Sequence, residues 1–101
     1  MSRDLTKEYL SYLKVEKGLA ANSLESYARD LAKLKAWADK NGLDLLSLTR
    51  QELREWLIDL GHTKLSENSK RRMISAMRGF YKFLLIDGHL TKNPADNPAH
   101  Q

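Results

Sequence analysis

Residues 65–87, LSENSKRRMISAMRGFYKFLLID, constrain the fold more than any other stretch, because they read as one long helix with two opposed faces. At about 100° per residue, Met73, Ile74, Met77, Phe80, Tyr81, Leu84 and Leu85 gather on one side. Arg71, Ser75, Arg78 and Lys82 gather within about 60° of one another on the opposite side. Ser66 is placed to cap the first turn through its hydroxyl. Gly88 gives a permissive position just past the end. The apolar side fixes the helix against the rest of the fold, and the cations point outward in a row.

Composition sets the bounds. A chain of 101 residues is one domain, large enough for a useful core and too short for a typical multi-domain enzyme. Hydrophobic residues at 42%, charged residues at 30%, and only five glycines and two prolines describe a globular balance. Lysine and arginine outnumber the acids by 17 to 13, a net charge of +4 that is compatible with a polyanionic partner. Cysteine is absent, which excludes a disulfide framework and thiolate chemistry and permits a reducing compartment. No apolar run approaches the ~20 residues of a membrane span, and no signal-peptide pattern opens the chain. A soluble, cytoplasmic domain is expected, with no membrane partner and no small-molecule ligand.

Three further helices precede the long one. The first is expected over about residues 5–16, capped by Asp4 or Thr6, with Leu5, Tyr9, Tyr12 and Leu13 at helical spacing and Gly18 after its end. The second is expected over about residues 22–40. Asn22 and Glu25 there have the spacing of a capping box, and Gly42 stops the helix. Its inward stripe is Leu24, Tyr27, Ala28, Leu31, Leu34 and Ala38; Asn22, Ser26, Arg29, Lys33 and Lys40 lie opposite. Lys35 falls near the apolar side and must extend its charge to water. Trp37 falls toward the polar side, so it packs on the following segment or stays partly exposed. The third helix opens with Thr49 and Glu52 as a capping box, buries Leu53, Trp56, Leu57 and Leu60, and stops at Gly61. Glu52, Glu55 and Asp59 make it acidic and a poor face for a polyanion. After Gly88, two Asn-Pro dipeptides disfavour helix and suggest an extended tail. No stretch alternates like a strand.

Catalytic and metal motifs are missing. His62, His89 and His100 have no paired ligand spacing, and no phosphate-cradling loop, catalytic triad or His-Glu helix motif is present. No catalytic residue, metal or cofactor is expected. The tyrosines read as core residues with polar tips. The functional signal rests on two basic stripes: Arg29 and Lys33 on the second helix, and Arg71, Arg78 and Lys82 on the fourth, with Lys70 and Arg72 near its start. Ser26 and Ser75 sit among these cations, and their hydroxyls can donate to phosphates or bases. Helices of this form fit the major groove of B-DNA and not that of A-form RNA. A solvated surface or a small helical protein-interaction adapter stays open as the alternative.

The residues also resemble a known family. YLKVEKGL at residues 12–19, then Asn22-Ser23, Tyr27 and Asp30-Leu31, are similar to the N-terminal core-binding (SAM-like) domain of Xer and phage-integrase tyrosine recombinases. RMISAMRGFYKFL at residues 72–84 and Asn93-Pro94 continue the likeness in order, with Ser23 in place of the usual Thr and Met77 in place of the usual Leu. The resemblance implies an all-α fold of four main helices arranged as two crossed hairpins. It implies a DNA-binding domain over residues 1–92 and a linker over 93–101 toward a separate catalytic domain. It further implies that the second and fourth helices dock on the major groove of a recombination half-site, and that other recombinase protomers meet this domain on paired sites. By carry-over, Ser23, Ser26, Arg29 and Lys33, together with Lys70, Arg71, Arg72, Ser75, Arg78 and Lys82, would face the DNA. Such a chain alone would bind DNA and not cut it.

Overall fold

A computed structural model describes residues 4–95 of the chain. Its helices are α1 (Leu5–Glu16), α2 (Ala21–Lys40), α3 (Arg50–Gly61) and α4 (Glu67–Ile86), with one 3₁₀ turn at Leu45–Ser47 between α2 and α3. No strand occurs among the described residues. The four helices make an all-α domain in which α2 packs most extensively on α4 and nearly as much on α1, and α1 also meets α4.

Local chemistry sets most helix ends. Asp4 accepts the Lys7 amide to open α1, and Ser66 accepts the Ser69 amide to open α4. Thr49 and Glu52 form a complete capping box, with reciprocal bonds of 3.1 and 2.9 Å. The second helix departs from expectation. It starts one residue earlier, with Ala20 as N-cap and no side-chain bond, so the capping box at Asn22 and Glu25 does not form. Asn22 already lies inside the first turn, where its side chain cannot serve as the cap. At the other ends of α2 and α4, Gly42 and Gly88 adopt φ of 68° and 81°. Each lets the next amide reach back to the last turn: Leu43 to Ala38 O, and His89 to Leu84 O, both at 2.8 Å.

The core is built around α4. Ala76, Phe80, Tyr81 and Leu84 are fully buried, against Leu31, Leu34 and Ala38 of α2 and Leu53, Trp56 and Leu60 of α3. Leu57 and Leu85, expected inside, lie at the edge of their helices' apolar faces and are 36% and 37% exposed. The Tyr81 hydroxyl donates to Leu45 O at 2.7 Å and ties the 3₁₀ turn to the core. Trp37 stays partly exposed, and its partner is not the segment that follows: its indole donates to Asp59 of α3, 22 positions on, at 2.8 Å, and its ring lies against the core. Lys35 reaches water as expected and pairs with Asp39 at 3.0 Å. Beyond α4, Leu90 and Ala95 rest on the core and Asn93 accepts the Ala95 amide. Residues 96–101 of the expected linker, including the second Asn-Pro and His100, lie outside the described residues.

Helix α1 meets α4 through aromatic rings. Tyr9 sits 5.8 Å from Phe80 and 5.5 Å from Phe83, centroid to centroid, and Tyr12 sits 5.2 Å from Phe83. This approach requires Gly79, because a Cβ there would collide with the Tyr9 hydroxyl. Alanine normally gains about 1 kcal/mol over glycine in a helix interior. Here Gly79→Ala is expected to destabilise instead, by about 1–3 kcal/mol through overpacking. Tyr9→Phe removes the colliding oxygen and leaves Cζ, at 3.3 Å, as the nearest atom. The same glycine change should therefore cost much less in the Tyr9→Phe background, measured by urea unfolding as a double-mutant cycle. Equal costs in both backgrounds would mean that the hydroxyl does not set the helix separation.

Candidate nucleic-acid interface

Where α2 crosses α4, a charged pair is built into the junction. The Asp30 side chain is only 1% exposed, and Arg72 grips it with both arms of its fork: Nε to Oδ2 at 2.7 Å and Nη2 to Oδ1 at 3.0 Å. A buried carboxylate is tolerated only when paired and hydrogen-bonded. Its hydrogen bonds to Asp30 push the Arg72 guanidinium further above its ordinary range. Arg72 also reaches the surface, where it lines a shallow groove with Asn22, Ser23, Ser26 and Tyr27 at the start of α2. The first-turn amides of α2 receive no side-chain cap beside this groove.

The ten expected contact residues divide into two groups. Ser23, Arg29 and Lys33 on α2, and Arg71, Ser75, Arg78 and Lys82 on α4, are exposed, and Ser26 is half-buried. None of these five cations has a carboxylate within ion-pair distance among the described residues. Lys70 and Arg72 are instead engaged inside the protein. Lys70 donates to Gly61 O at 3.2 Å and lies 3.6 Å from Glu67, which fastens the start of α4 to the end of α3. Arg72 holds Asp30. The residue that charge reading overlooked is Asp30 itself; its signal was an acid beside Leu31 on the flank of an apolar stripe.

The tyrosines carry no sign of activation. Burial, followed by Tyr27 and Tyr12 nearby, pushes the Tyr9 phenol up to about 12, and burial raises Tyr81 further. Both stay protonated at neutral pH. At the far end of α4, Glu8, Asp87 and His89 bring one potential ligand atom each within 4.8 Å of one another, and His89 Nε2 lies 2.9 Å from Asp87 Oδ2. Chain folding creates that grouping, and no spacing in the sequence announces it.

The Asp30–Arg72 pair is asymmetric, because one partner can turn to water and the other cannot. Arg72→Met leaves a buried carboxylate alone and is expected to destabilise by about 2–4 kcal/mol, less than a fully buried pair because Arg72 is partly exposed. Asp30→Asn keeps one acceptor for Arg72 and turns an amide N–H2 toward its other N–H; because Arg72 can swing that arm to water, the change should cost less, about 1–2 kcal/mol. Urea unfolding of the two variants measures the order; a larger loss in Asp30→Asn would contradict it.

Comparison with known proteins identifies the family of the chain. Residues 6–88 match the family described as phage integrase, N-terminal SAM-like domain. The chain is 35% identical over 96 residues to tyrosine recombinase XerC of Xylella fastidiosa strain M23, spanning 94% of this chain and 32% of that protein. It is 35% identical over 94 residues to tyrosine recombinase XerD of Rhizobium meliloti, spanning 93% of this chain and 30% of that protein. Against XerD of Pseudomonas aeruginosa the figures are 34% over 97 residues, 93% and 32%. The chain thus spans about a third of the length of these curated relatives. With a family match over most of its length and the expected helices in place, the chain belongs to the phage integrase N-terminal SAM-like domain family.

Proposed function

We propose that this chain binds duplex DNA as the non-catalytic N-terminal domain of a site-specific tyrosine recombinase, with α2 and α4 docking in the major groove of a recombination half-site. The observation that carries this reading is the pair of unpartnered basic faces on the two helices that pack most closely together. Arg29 and Lys33 on one, and Arg71, Arg78 and Lys82 on the other, are exposed and lack carboxylates among the described residues. Cations left open in this way suit phosphate oxygens, and the neighbouring Ser26 and Ser75 add small donors. The groove at the start of α2 offers amides without a side-chain cap, which suit a backbone phosphate at the edge of the footprint.

In this reading, residues 1–92 form the DNA-binding unit and residues 93–101 lead toward a separate catalytic domain that performs strand cleavage. Other protomers meet the domain on paired sites. The interaction-adapter alternative loses its best residue, since Trp37 is committed to Asp59 and the core.

The test is fluorescence anisotropy with a labelled duplex at low salt, using Arg29→Ala and Arg71→Ala, one variant on each docking helix. Each is expected to weaken binding roughly tenfold, the equivalent of one charge-assisted contact of about 1.5 kcal/mol, with no fall in melting temperature. Unchanged affinity in both variants would refute docking by these two helices.

A further inference from the structure

Helix α3 carries its acids and its arginines on opposite flanks. Glu52 is held in the capping box and Asp59 by the Trp37 indole, so the acidic flank largely serves the fold. Arg50 and Arg54, one turn apart, lie within about 40° of each other on the other flank. They line a shallow groove together with Arg78 of α4, and Leu53, Leu57, Met77, Pro94 and Ala95 supply its apolar walls. Arg78 also belongs to the basic face of α4, so the groove continues that face onto α3.

Three physical features mark these arginines as poorly matched to the folded chain alone. Arg50 is the first residue of α3, at the end where the helix dipole disfavours a cation. Arg50 and Arg54 are like charges at i,i+4 spacing, which destabilises a helix. Neither they nor Arg78 has a carboxylate within ion-pair distance among the described residues. An external anion would satisfy all three.

We infer that Arg50 and Arg54 form, with Arg78, a phosphate-backbone clamp that extends the DNA footprint from α4 onto α3. This inference rests on the duplex-binding reading above. Guanidinium forks match phosphate oxygens. Apart from the three arginines the groove is lined by apolar side chains, so it offers a sugar-phosphate strand charge and no further polar group to read base edges; its contribution is independent of sequence.

The test compares wild type, Arg50→Gln/Arg54→Gln and Arg29→Ala by anisotropy against two unrelated duplexes over a salt series. The double variant is expected to lower the slope of log K against log salt by about 1.8, the value for two lost phosphate contacts, and equally for both duplexes. Its melting temperature should hold or rise, since like-charge repulsion is removed. Arg50→Lys/Arg54→Lys keeps the charges and should keep the slope. A wild-type slope in the glutamine variant, with a reduced one in Arg29→Ala, overturns the clamp and leaves the two-helix reading standing. Absence of duplex binding by wild type at low salt overturns both. Loss of polyglutamate binding with duplex binding intact would assign these arginines to an acidic protein and also overturn the clamp.

Discussion

The Asp30–Arg72 pair is the constraint on which the arrangement of the basic surface depends. A carboxylate buried between two helices has one low-energy state, with its oxygens satisfied by a matched fork. Meeting that condition fixes α2 and α4 in rotation and in register, because each must present one residue to the other. Once Asp30 faces Arg72, Arg29 and Lys33 on one helix and Arg71, Ser75 and Arg78 on the other have determined positions on the surface. Net stabilisation from such pairs is small, since desolvation offsets attraction. Its contribution here is geometric.

Apolar packing supplies the stability that the pair does not. Phe80, Tyr81 and Leu84 are fully buried, each worth about 1.5–3 kcal/mol for an aromatic or leucine side chain taken from water. The same helix therefore carries the densest part of the core on one side and unpartnered cations on the other. Lys70 to Gly61 O and Trp37 to Asp59 add polar links from α3 to its neighbours. These leave the α3 flank with Arg50 and Arg54 free of internal duties.

Much of this was legible in the sequence, for physical reasons specific to each element. Helices α1, α3 and α4 declare themselves through local caps at Asp4, Thr49 and Ser66, where the side chain that ends the helix is its neighbour in sequence. The start of α2 does not, because Ala20 caps it with backbone alone and Asn22 is a decoy. Leu57 and Leu85 satisfy the period but sit at stripe edges, and only packing decides which edge is covered. The pairing of Asp30 with Arg72 spans 42 positions, and the contact of Gly79 with Tyr9 joins the first and last helices. No periodicity in one helix reveals its partner in another. For the same reason, Lys70 and Arg72 read as surface cations until their acceptors are seen, and Arg50 and Arg54 read as part of an acidic helix.

The measurement that tests the central claim most directly is an amide chemical-shift titration of the isotope-labelled chain with a short duplex, at low and then moderate salt. Docking by α2 and α4 predicts shifts concentrated on residues 22–33 and 71–82, with the Arg72 side-chain resonance perturbed beside its groove. The shifts should fade as salt rises and counterions compete. Silence of those residues at low salt, or shifts confined to the far ends of α1 and α4, would contradict the account and leave the basic faces as solvated surface.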